Sequence, residues 1–206
     1  MRIGFFGGSF DPPHLGHLAV GHAAAEAFSL DRILFAPTGR QPLKPEGPSA
    51  PFDDRLAMVS LLCDLQAPNP RVRFEASSLD APLADGSPNY TIQALSTLQN
   101  QCTDDDSLFV ILGADAFLEL PRWKSADTLL RLAEWIVVSR PGVALQSLGS
   151  LRLDPQQRDR VHLLRGVHQP ASATHIRAIL QAGSECTDLL PASILTYIRA
   201  HHLYGT

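Results

Sequence analysis

The stretch Ile3-Gly4-Phe5-Phe6-Gly7-Gly8-Ser9-Phe10-Asp11-Pro12-Pro13-His14-Leu15-Gly16-His17 decides how the rest of the chain is read. An apolar strand runs into a glycine-rich bend and then into an alanine-rich helical pattern. Backbone N–H groups therefore gather at a helix N-terminus with two imidazoles beside them, an arrangement that holds phosphates. His14 and His17 stand three residues apart, so a helix beginning near Pro13 projects both rings from one face of its first turn. Pro12 and Pro13 suit such a turn, and Gly16 leaves room for a flat group against the backbone. The four-residue H-x-G-H pattern alone also fits ordinary surface or cap histidines; the uninterrupted run from Gly7 to His17 is far more specific.

Outward from this stretch, Leu18, Val20, Ala23, Ala24, Ala27 and Phe28 continue a helix, and Arg32-Ile33-Leu34-Phe35-Ala36-Pro37 reads as a second buried strand. Strand, helix, strand in succession implies a parallel sheet with the phosphate loop at the carboxyl end of its first strand. Further strands are expected at Val72-Arg73-Phe74, at Leu108-Phe109-Val110-Ile111-Leu112, at Trp135-Ile136-Val137-Val138-Ser139 and at His162-Leu163-Leu164. Helices fit residues 52–65, where Arg55 reads as an exposed helix charge, and the segments following Thr91, Ser125, Ser172 and Pro191. The expected fold is α/β: a Rossmann-like parallel sheet flanked by helices, in a single domain over residues 1–206. The G-x-G-x-x-G of dinucleotide dehydrogenases is missing from it.

Bulk composition narrows the class. Apolar residues at 45% and charged residues at 18% are those of an ordinary globular chain with a sizeable core. A net charge of −4 argues against a nucleic-acid binder, which needs a broad basic face, but not against a small anionic substrate. Cys63, Cys102 and Cys186 are scattered, with neither a disulfide framework nor a zinc spacing, and no metal ligand set is evident. No leader and no apolar run near the roughly 18 residues of a membrane span is seen, so a cytoplasmic protein without a membrane partner is expected. Homo-oligomerisation is left open.

Most of the remaining candidates have two readings from the residues alone. Arg40 and Lys44 lie in a Pro/Gly-rich loop over residues 38–51, which either closes over an anion or is simply solvated. Tyr90 and Thr91 start a helix. Gly113-Ala114-Asp115 ends an apolar strand, where Asp115 either accepts from ribose hydroxyls or caps the next helix. Trp123 is either core or a stacking platform. In Ser172-Ala173-Thr174-His175-Ile176-Arg177, hydroxyls, free N–H groups and a guanidinium at a helix start form a second anion site, while capping alone would explain Ser172 or Thr174.

The run from Gly7 to His17 resembles the H-x-G-H nucleotidyltransferase superfamily, and Gly7-Gly8-Ser9-Phe10-Asp11-Pro12-Pro13-His14 is similar specifically to bacterial nicotinate-nucleotide adenylyltransferases. The resemblance extends from Gly4 to Tyr204. It implies that His14 and His17 act on the ATP phosphates and that Gly7, Gly8, Ser9 and Phe10 lie at the nucleotide. By the same resemblance Gly113 and Asp115 bind the adenosine, and Ser172, Thr174 and Arg177 hold the β and γ phosphates. Lys44 would contact substrate phosphate, though Leu43 stands where many relatives have histidine. Tyr90, Thr91 and Trp123 would border the pyridine, with Thr91 offering a hydroxyl and backbone amide to its carboxylate. No role transfers to Lys124, where some relatives carry tyrosine. The implied reaction moves AMP from ATP to nicotinate mononucleotide, releasing pyrophosphate, with Mg²⁺ carried mainly by ATP. A phosphopantetheine adenylyltransferase, an amide-preferring relative and a non-catalytic nucleotide-binding regulator are the alternatives.

Overall fold

In the computed structural model, which describes residues 1–43, 46–65, 71–139, 151–167 and 171–206, the strands order the molecule. They are β1 (Arg2–Gly8), β2 (Arg32–Pro37), β3 (Arg73–Ala76), β4 (Ser107–Gly113), β5 (Glu134–Val138) and β6 (Val161–Leu164). They form one six-stranded sheet in the order β3-β2-β1-β4-β5-β6, and every pairing is parallel. The helices are α1 (Leu15–Phe28), α2 (Phe52–Cys63), α3 (Thr91–Gln99), α4 (Ala114–Leu118), α5 (Ala126–Leu132), α6 (Pro155–Asp159), α7 (Ala173–Gln181) and α8 (Ala192–Ala200). This is the expected Rossmann-like α/β architecture.

Period-two alternation in the strands divides the core into two layers. Phe6, Ile33, Phe35, Phe109 and Ile136 face one side; Ile3, Phe5, Leu34, Val110 and Trp135 face the other. Both sides are apolar because parallel strands are covered on both faces. From β1 the chain winds outward through β2 to β3, crosses back to β4 on the other side of β1, and continues to β6. The winding therefore reverses between β1 and β4. In open α/β sheets the crevice outside the carboxyl ends at such a reversal is where ligands bind.

Ile176 and Leu180 of α7 and Ile194, Leu195 and Ile198 of α8 belong to the core layer that contains Phe6 and Phe35, together with Ala24 and Ala25 of α1. Each such apolar side chain contributes roughly 1.5–3 kcal/mol on burial. The segment 172–177 is therefore brought beside the segment 9–17 mainly by apolar packing. Among the described residues no helix is long and apolar enough to cross a membrane.

Candidate active site

The first helical turn differs from the sequence expectation. The helix α1 begins at Leu15, and His14 is its N-cap, with extended φ and ψ of −149° and 171°. Pro12 and Pro13 lie before the cap rather than in the first turn. Leu15 N–H is satisfied by Leu189 C=O at 3.1 Å. His14 N–H donates to Nδ1 of His17 at 3.2 Å, so in the neutral His17 ring the proton sits on Nε2. The two rings stack, with centroids 3.8 Å apart and planes 29° apart. Gly16 serves this stack: a Cβ there would lie 2.9 Å from Nδ1 of His14. The flat group against the helix backbone is thus the His14 ring itself.

Phe10 has φ of 46°, a left-handed conformation that is unfavourable for a bulky residue. Its ring is completely buried. It packs 5.6 Å from Phe6, 6.1 Å from Phe35 and 4.7 Å from His17. This apolar anchoring holds the bend in shape and backs the His17 ring. Gly8 at the end of β1 is held by Thr38, whose N–H and Oγ1 both donate to Gly8 C=O at 2.8 Å.

Asp11, only 3% exposed, is the centre of the surrounding network. Its carboxylate accepts from Ser49 N–H at 2.7 Å, Ala50 N–H at 3.0 Å and the Tyr204 hydroxyl at 2.9 Å. Arg177 donates through Nη1 to Asp11 C=O at 2.6 Å and lies 3.6 Å from the carboxylate. Burial and the adjacent carboxylate both push the Tyr204 phenol up from its ordinary pKa, so it remains a donor. Arg55 departs from the expectation of an exposed helix charge: it is 2% exposed. It donates to Ser9 C=O at 2.7 Å and to Ala50 C=O at 3.1 Å. Burial pushes its pKa down, and the Asp11 charge works against that shift. Residues spaced three or four apart on an amphipathic helix gave no sign of this inward role, because it follows from carbonyls on a distant bend.

Ser9, Asp11, Gln41, Gly47, Pro48, Ala173, Thr174 and Arg177 enclose a cleft of about 190 Å³. Three candidate residues from the two expected anion-binding segments, Ser9, Thr174 and Arg177, meet there. Ser172 caps α7 by accepting from His175 N–H at 3.2 Å, and Thr174 Oγ1 accepts from Arg177 at 3.4 Å. Gln41, which donates to Thr38 Oγ1 at 2.8 Å, joins the lining without any local motif to announce it. A larger cavity of about 430 Å³ opens at the amino ends of the strands. There Glu134 already engages Arg160 at 3.2 Å and His162 at 2.7 Å. It is at the wrong end of the sheet for the loops that carry the candidates.

The other described candidates lie at the carboxyl ends of the strands or on the connections that follow them. Gly7 and Gly8 end β1, and Gly113 ends its neighbour β4. Gly113, not Asp115, is the N-cap of α4; Asp115 sits exposed in its first turn. Tyr90 caps α3 and Thr91 is its first residue. Trp123 is half-buried, with its ring 6.4 Å from Trp135 and nearly perpendicular to it. Lys124 Nζ lies 4.3 Å from the Tyr90 ring centroid, which ties the Trp123 turn to the start of α3. Lys44 lies outside the described residues.

Residues 5–182 match the cytidylyltransferase-like family model. A Roseiflexus protein named "Probable nicotinate-nucleotide adenylyltransferase" is 39% identical over 98% of this chain and 97% of its own. A Solibacter usitatus protein of the same name is 35% identical over the full length of both. The structure of Plasmodium falciparum nicotinic acid mononucleotide adenylyltransferase complexed with NaAD shares the fold, with a TM-score of 0.74 at 15% identity, over 98% of this chain and 97% of that one. With the candidate segments 9–17 and 172–177 joined at the reversal of the sheet and relatives matched over their whole length, the chain belongs to the nicotinate-nucleotide adenylyltransferase family.

Proposed function

We propose that the protein transfers the AMP moiety of ATP to nicotinate mononucleotide, forming nicotinate adenine dinucleotide and pyrophosphate in NAD biosynthesis. The observation that carries this reading is the meeting of Ser9 and Asp11, from the bend before the histidines, with Ala173, Thr174 and Arg177 in one cleft at the carboxyl ends of parallel strands, joined by the Arg177 bond to Asp11 C=O. A phosphate oxygen of the mononucleotide attacks the α-phosphorus of ATP, a new P–O bond forms, and the bond to the β-phosphate oxygen breaks. The nucleophile is already anionic near neutral pH, so no protein base is needed. The protein's task is to align two repelling anions and to stabilise charge on the α-phosphate and the leaving pyrophosphate.

In this reading His17 donates from Nε2 to a phosphate oxygen, its Nδ1 being occupied by His14 N–H. His14 supports it by stacking and lies beside the same phosphates. Arg177, Thr174 and Ser172 hold the β and γ end, and N–H groups around Ser9 and Phe10 take the α end. Gly7, Gly8, Gly113 and Asp115 form the nucleoside side of the crevice. Tyr90, Thr91 and Trp123 receive the pyridine, and Lys44 contacts substrate phosphate. Among the described residues no group of His, Cys, Asp and Glu side chains is assembled to hold a metal ion. The Asp11 carboxylate is already taken up by two N–H groups, a phenol and a guanidinium. A protein cage for Mg²⁺ does not fit here; the ion enters as part of the ATP substrate. Its three cysteines, free in the structure, suit a reducing compartment such as the cytoplasm.

The test is dinucleotide and pyrophosphate formation by purified protein from ATP, Mg²⁺ and nicotinate mononucleotide, with the product identified by mass. The two products should appear in equal amounts. The His17→Ala variant should lose about 100-fold or more in turnover while binding the mononucleotide nearly as well as the parent. Absence of dinucleotide from the parent overturns the proposal.

A further inference from the structure

We infer that Lys124 selects a pyridine nucleotide bearing a carboxylate over one bearing an amide, as the cation that faces the acid group of the pyridine ring. The inference rests on the proposed function, since it assigns a specificity residue within that site. The observation is geometric: Nζ of Lys124 lies 4.3 Å from the Tyr90 ring centroid, immediately beside Trp123 in sequence. A full positive charge is therefore placed at the junction of the turn that carries the stacking indole and the start of α3.

Among the described residues Lys124 makes no ion pair. Three carboxylates of the neighbouring segments are engaged elsewhere: Glu119 with Arg122, Asp127 with Gln157, and Asp85 with Ser87 N–H. The first turn of α3 carries no acidic residue. The π face of Tyr90 orients the ammonium without cancelling its charge. An exposed ammonium of this kind can approach a ligand carboxylate and gains nothing comparable from a neutral amide.

Composition points the same way. Of the 17 basic residues only Lys44 and Lys124 are lysines, and the rest are arginine. Lys124 falls in a turn of the proposed substrate side, where a compact, mobile point charge meets anions of differing geometry more readily than a planar fork.

The test compares the parent, Lys124→Met and Lys124→Arg with nicotinate mononucleotide and its amide in parallel, by kcat/KM and by calorimetric binding. Lys124→Met should lower the acid-over-amide ratio by about tenfold, through the acid substrate alone. Lys124→Arg should restore most of it. Added salt should erode the ratio in the parent but not in Lys124→Met. An unchanged ratio in Lys124→Met, or equal losses with both nucleotides, overturns the inference while leaving the proposed function intact. A parent that makes no dinucleotide yet binds the acid preferentially, with the preference lost in Lys124→Met, overturns the function and leaves the inference standing.

Discussion

Asp11 shows how one side chain can organise a site it does not have to serve chemically. Its buried carboxylate gathers the 46–51 segment, the C-terminal Tyr204 and Arg177 around the bend that precedes the histidines. A buried charge is tolerated only when paired and fully hydrogen-bonded, and each bond to it is worth more than a neutral one. Removing the Tyr204 hydroxyl leaves the ring in place but strips one donor from that charge. Tyr204→Phe should cost about 1.5–3 kcal/mol of stability and raise the KM for ATP several-fold, with a smaller effect on kcat. Urea unfolding and steady-state kinetics measure the two; an unchanged unfolding midpoint would show that the hydroxyl does not hold Asp11.

At the scale of elements, the loops after β2 and β3 are stitched together. Asn89 Oδ1 accepts from Arg40 N–H at 2.8 Å, Asn89 N–H donates back to Arg40 C=O at 2.8 Å, and its side-chain NH₂ donates to Ala81 C=O at 2.7 Å. Gly39 N–H donates to Asp80 C=O at 2.7 Å. A Cβ on Gly39 would stand 2.4 Å from Asn89 Oδ1, so the close approach of the two loops needs glycine there. Because Asn89 immediately precedes Tyr90 and Thr91, the stitch sets where α3 begins relative to the 38–51 loop. Asn89→Ala breaks both side-chain bonds and should cost about 2 kcal/mol. Its kinetic mark should be a KM for the pyridine mononucleotide raised about fivefold, against a smaller change for ATP. Equal changes in the two KM values would mean that the stitch supports stability only.

At the scale of the whole molecule, Asp80 makes stability depend on pH. It is buried, and desolvation raises its pKa from 3.8 to about 7, although the Arg55 charge opposes the shift. Between those two values the folded chain keeps a proton that the unfolded chain releases. Stability therefore falls as pH rises through this window and carries the full cost above it. Asp80→Asn removes the titration. It should be more stable than the parent at pH 8 by on the order of 1–3 kcal/mol, with the gap closing toward pH 4. Chemical unfolding at pH 5 and pH 8 decides it; an identical pH slope in parent and variant would exclude Asp80 as the source.

Contiguous residues determined much of this protein. Alternating and continuous apolar runs specified the strands, since a parallel strand must bury both faces, and the Gly7–His17 run specified a bend with two imidazoles beside it because those groups are local neighbours. Even there, the cap at His14 displaced the expected helix start. The tertiary structure alone decided the rest. Arg177 and Asp11 are 166 residues apart, and Tyr204 and Asp11 193 apart, so no sequence period couples them. Arg55 lies on a helix whose pattern allows it to face solvent; the carbonyls of Ser9 and Ala50 turn it inward. Lys124 reaches Tyr90 only because crossing back over β1 lays the β4 connection beside the start of α3. Strand order is set by which apolar faces close on one another, a property of the packed chain rather than of any segment in it.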